Sequence, residues 1–90
     1  MDEIKVEKPD AEKLKELGVN SWPIWEKEVS SFPWEYSSTE VCYILEGKVK
    51  VETEDGKVVE FGKGDLVTFP KGLKCKWNII EDVKKHYNFK

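Results

Sequence analysis

Five side chains with the chemistry to hold a small molecule, Trp34, Tyr36, Glu40, Cys75 and Trp77, cluster in two stretches of this 90-residue chain. Each stretch alternates apolar with polar residues, the period of a strand whose successive side chains point to opposite faces. On that period Trp34 and Tyr36 share a face, Leu73, Cys75 and Trp77 share another, and Glu40 goes with Cys42 and Ile44. If Glu40 faces the interior, its carboxylate loses hydration among tryptophan, tyrosine and cysteine, which makes it a candidate acid or base. The alternative is structural: near the start of its strand it simply accepts a hydrogen bond from Tyr36 or a tryptophan N–H. The three aromatic residues either line a cleft suited to a small ring-containing ligand, such as a sugar or an aromatic acid, or fill the interior with their own rings.

The remaining reactive groups read more plainly. Cys75 stands between Lys74 and Lys76, whose charges would favour a thiolate, yet both lysines belong to the opposite face of the strand. A core thiol is therefore expected there, and inert packing at Cys42. If both thiols face one cavity, a facultative disulfide between them is geometrically conceivable. The single histidine, His86, lies on the last strand, where it either joins Cys75 at a site or is a hydrogen-bonded strand residue.

Few elements are needed to carry these groups. Ile4 and Val6 alternate with charges as a short edge strand, and Asp10 is an N-cap for a helix Ala11 to Leu17 stopped by Gly18. From Asn20 onward period two takes over: Trp22 to Trp25, Glu26 to Val29, Phe32 to Tyr36, Glu40 to Glu46 ended by Gly47, Lys48 to Thr53, Val58 to Phe61, Leu66 to Phe69, Leu73 to Ile79 and Val83 to Phe89. Asp55-Gly56 predicts a type I′ hairpin, and Glu81-Asp82 a charged turn. Eight or nine short strands at this spacing mark a barrel or sandwich. Val41, Tyr43 and Leu45 form an apolar outward face that needs the helix, the first strand or a second subunit to cover it.

Composition narrows the partners. Fifteen lysines oppose eighteen acidic residues, the signs are interspersed, and there is no arginine. A basic block and the guanidinium fork are the usual tools for phosphate and base recognition, so nucleic-acid partners are not expected. The longest apolar run, Val41 to Leu45, is too short for a membrane span, and the charged start Met1-Asp2-Glu3 does not read as a signal peptide. These features predict one cytoplasmic domain over residues 1–90. Richness in lysine and glutamate with no glutamine suits a thermostable protein.

Two motifs resemble the cupin family. Gly64, five residues, Pro70-Lys-Gly72 and two further residues to Cys75 match the second cupin motif, whose last position is usually a metal-binding histidine. Glu40 and Gly47 match the spacing of the first motif, but its His-x-His pair falls on Trp34 and Tyr36. The motif-bearing core covers about residues 32–80, and Trp22-Pro23 with the ending Lys85-His-Tyr-Asn-Phe89 resembles a subgroup of short single-domain cupins of unknown function. That subgroup is related to ureidoglycine aminohydrolase and an ethanolamine-utilisation protein. The resemblance implies an all-β fold, a small jelly-roll β-barrel with one short N-terminal helix, and a homodimer through the outer sheet face. It also implies a metal held by three histidines and a glutamate, of which this chain keeps only Glu40. No metal or other cofactor is therefore expected, and the expected activity is small-molecule binding, with a metal-assisted or Glu40-based hydrolase or isomerase as the alternative.

Overall fold

Two long strands form the spine of the molecule. The computed structural model describes residues 4–89, so Met1-Asp2-Glu3 lies outside the described residues. In chain order the elements are β1 (Lys5–Glu7), α1 (Ala11–Leu17), a 3₁₀ turn (Val19–Ser21), β2 (Ile24–Lys27), β3 (Ser30–Glu35), β4 (Glu40–Thr53), β5 (Val58–Gly62), β6 (Leu66–Phe69) and β7 (Lys74–Phe89). Strands β4 and β7 pair antiparallel from Glu40↔Phe89 to Thr53↔Cys75. At one end they are flanked by β1, β6 and β2, and at the other by β5 and β3. The result is the expected all-β jelly-roll barrel with one short helix.

Among the described residues seven strands replace the expected eight or nine, because both apparent breaks are bends inside longer strands. Gly47 does not end a strand, and Glu81-Asp82 is not a turn. Instead the β4–β7 register slips between Ile44 and Val49, where the spine turns from one half of the barrel to the other. Gly47 has φ +100°, and a Cβ there would overlap the Asp82 carbonyl oxygen and lie 2.8 Å from Val83 Cα. Only glycine allows the two strands to meet this closely.

The β4–β5 hairpin also departs from expectation. No described non-glycine residue has a positive φ, so Asp55 cannot take part in a type I′ turn, which needs two such residues. The loop is one residue longer: Gly56 N–H donates to the Thr53 carbonyl at 3.0 Å, with Gly56 at φ +88°. The caps of α1 match the sequence reading, with Asp10 Oδ1 accepting from Lys13 N–H at 2.8 Å and Gly18 at φ +70° closing the helix.

Side chains from both halves meet in an aromatic core. Trp77 contacts Phe69 at 5.5 Å and Phe61 at 5.6 Å between centroids, and Tyr36 stacks on Phe69 at 4.9 Å. Outside this interior a second layer forms. β1 and β2 sit at opposite ends of the sheet order, so the connection carrying α1 and the 3₁₀ turn crosses the outer side. Val19, Val41, Leu66 and His86 are buried there without belonging to the interior cluster, whereas Tyr43 and Leu45 are half-buried. The chain itself thus supplies much of the cover that the apolar outer face requires.

Candidate functional site

The Pro70-Lys71-Gly72 corner is where local sequence begins to position the site. Leu73 N–H closes the turn on the Pro70 carbonyl at 3.2 Å, and Gly72, at φ +87°, donates its N–H to the Tyr36 carbonyl at 2.7 Å. Tyr36 N–H in turn donates to the Leu73 carbonyl at 2.9 Å. The corner therefore clamps the backbone of Tyr36 at the end of β3 and aims its ring into the barrel mouth. There the Tyr36 hydroxyl accepts a hydrogen bond from Trp77 Nε1–H at 3.2 Å. Burial, and then the nearby Glu40 charge, push the Tyr36 pKa upward, so the hydroxyl stays neutral.

Glu40 and Lys85 form the polar floor. They lie on the paired strands β4 and β7, where Glu40 stands opposite Phe89 and Lys85 opposite Ile44, and Lys85 Nζ reaches along the ladder to donate to Glu40 Oε2 at 3.0 Å. Only 4% of Glu40 and 5% of Lys85 is exposed, so this is an ion pair largely removed from water. The ammonium is also held against two indole faces, 4.9 Å from the Trp25 centroid and 4.6 Å from that of Trp77. Such contacts stabilise a lysine as a cation.

Above the pair opens a cavity of about 200 Å³ lined by Trp25, Phe32, Trp34, Tyr36, Glu40, Trp77, Lys85, Tyr87 and Phe89. Trp77 and Tyr36 are each 2% exposed and close the bottom, whereas Trp34 and Phe89 are each 48% exposed at the rim. The aromatic residues thus do both things the sequence allowed: some fill the barrel and others wall an open mouth.

Four of the five sequence-derived site residues, Trp34, Tyr36, Glu40 and Trp77, line this cavity, and Cys75 does not. Cys75 lies in the interior cluster, and burial followed by the Glu40 charge raises its thiol to about 11. Burial likewise raises Cys42 to about 12, and both cysteines are free. His86 points to the outer layer with Nδ1 2.9 Å from the Trp22 carbonyl oxygen, away from the cavity lining. Glu40 takes its hydrogen bond from Lys85, which sequence reasoning overlooked, along with Trp25, Phe32, Tyr87 and Phe89. A signal was available. Val83, Lys85, Tyr87 and Phe89 share one strand face, so Lys85 is the lone charge on an apolar side.

A model of the EutQ-like cupin domain matches residues 14–87, most of the chain. The chain belongs to the EutQ-like cupins. It is similar to a DUF861 family protein from Thermotoga maritima, with 66% identity and a TM-score of 0.97 over 98% of this chain and 100% of that one. An ethanolamine utilisation protein Q from Salmonella typhimurium is 26% identical, with a TM-score of 0.67 over 73% of this chain and 53% of that protein. Clostridium difficile EutQ, 23% identical with a TM-score of 0.67, shares the fold over 73% of this chain and 52% of its own. The chain thus corresponds to about half the length of those two EutQ proteins. No functionally curated protein matched it.

The donor set of this EutQ-like cupin does not fit the metal that cupins hold with three histidines and a glutamate. Tryptophan cannot coordinate, the Tyr36 phenol is held neutral, and Cys75 lies off the cavity. Glu40, the one retained ligand, faces the Lys85 ammonium where a metal cation would have to approach it. Among the described residues no three His, Cys, Asp or Glu side chains are grouped to hold a metal ion.

Proposed function

We propose that this chain is a small-molecule-binding cupin in which an aromatic cavity over an internal ion pair replaces the metal centre. The observation that carries this reading is the mouth cavity of about 200 Å³, with rings on its walls and Glu40–Lys85 at its floor. Apolar walls with a few convergent polar groups are the general composition of ligand pockets, and the volume favours a metabolite smaller than a drug-sized compound. Trp34 supplies a ring at the rim that costs little to expose and gains area when a ligand covers it.

A thermal-shift screen against sugars, small carboxylic acids and aromatic amides tests this reading. Ligand at a hundredfold excess over its Kd adds about 2.7 kcal/mol, which raises the Tm of a domain this size by roughly 10 °C or more. At least one class is expected to stabilise the wild type and to lose that effect in Trp34→Ala. Absence of stabilisation by every class contradicts the reading.

The same floor supports a catalytic reading, since a carboxylate beside an ammonium at a cavity is an acid–base pair. In that case a compound that binds is also turned over, and Glu40→Gln abolishes that turnover.

A further inference from the structure

The geometry points to a ligand that is neutral overall and presents a hydrogen-bond donor beside an acceptor on a planar ring, as an aromatic carboxamide does. This inference rests on the pocket reading above and adds the chemical class. Its first ground is charge. Glu40 and Lys85 cancel each other within 3.0 Å, and the other seven lining residues, Trp25, Phe32, Trp34, Tyr36, Trp77, Tyr87 and Phe89, bring no formal charge while Tyr36 stays neutral. A charged ligand entering this cavity leaves one charge without a counterion in surroundings poor in water, which is costly.

The second ground is the pattern of vacant bonding capacity. Glu40 uses Oε2 for Lys85, and among the described residues Oε1 has no hydrogen-bond partner, so the floor accepts one donor. The ammonium carries three N–H groups and gives one to Glu40; it also lies against the faces of Trp25 and Trp77, and the two other N–H groups leave it able to donate to an acceptor. A carboxamide edge satisfies both, with N–H to Glu40 and C=O from Lys85. A carboxylate lacks the donor and an amidinium lacks the acceptor. The third ground is shape: the walls are aromatic rings, against which a flat ring stacks or meets edge to face.

Three compounds of nearly one shape separate these possibilities: benzamide, benzoate and benzamidinium, titrated calorimetrically into the intact chain at neutral pH. Benzamide is expected to bind at least about tenfold tighter than either ion. Glu40→Gln leaves a lone lysine and shifts preference toward benzoate, and Lys85→Met leaves a lone carboxylate and shifts it toward benzamidinium. Far-ultraviolet circular dichroism confirms that each variant is folded, and the wild-type ranking stands without them. Equal or tighter binding of either ion by the wild type overturns the proposed class while leaving the pocket reading intact. No binding of benzamide also overturns it, and the wider thermal-shift screen then decides whether the pocket reading falls too.

Discussion

Lys85 Nζ sits 3.0 Å from Glu40 Oε2 with both side chains almost wholly out of water, so the charge that faces the retained cupin glutamate comes from the chain itself. One side of this pair without the other is a buried, uncompensated charge. Lys85→Met is therefore expected to lose about 3 kcal/mol of stability, and adding Glu40→Gln to recover most of it, because no net charge then remains. Urea unfolding of the single and double variants checks this. A loss in the double variant equal to the sum of the two single losses would show that the pair is not coupled.

At the bend of the spine, Gly47→Ala places a methyl group against the Asp82 carbonyl at a φ of +100°. Backbone strain and overlap act together at a site where strands cannot separate without breaking the β4–β7 ladder. The expected cost is more than about 2 kcal/mol, or a Tm lower by roughly 10 °C. Gly56→Ala, also at positive φ but with open space around its added Cβ, is the control and should lose less. Thermal melts followed by circular dichroism make the comparison.

The thiols give a pH-dependent expectation. Burial raises Cys75 to about 11 and Cys42 to about 12 in the folded chain, so both stay protonated where an exposed thiol begins to ionise. A raised acid pKa means that the folded state holds its proton longer than the unfolded one. The stability contribution is complete below the unfolded pKa near 9 and is lost as pH rises from there through the folded values. Stability is accordingly expected to fall between about pH 9 and 11, less steeply in Cys42→Ser/Cys75→Ser. Native alkylation by iodoacetamide at pH 8 should be slow for both residues and rapid in urea. Fast native labelling of Cys75 would contradict its placement in the core.

The barrel was legible in the sequence because period-two patterning and the Gly64 to Cys75 corner are local signals. The join of Glu40–Glu46 to Lys48–Thr53 was not, because a glycine in a bulge and a glycine after a strand look alike until the opposing strand is known. The same holds for Glu81-Asp82, whose Asp82 carbonyl lies against that glycine in the irregular stretch of the ladder. Of the site, Trp34, Tyr36, Glu40 and Trp77 could be found from motif spacing and alternation. Cys75 followed the motif but not the cavity, since its side chain turns into the packed interior beneath. Lys85 was hidden by its neighbours Lys84 and His86, which make a buried cation read as part of a charged surface.

The most direct test of a ligand-binding mouth uses the four tryptophans as reporters. Trp25, Trp34 and Trp77 line the cavity, whereas Trp22, whose carbonyl meets His86 in the outer layer, does not. In ¹H–¹⁵N spectra of the chain titrated with benzamide, benzoate, benzamidinium and glucose, the indole N–H signals of the first three are expected to move in saturable fashion with benzamide while Trp22 stays fixed. Four unmoved indoles with every compound, or movement of Trp22 alone, would contradict a small-molecule site at the barrel mouth.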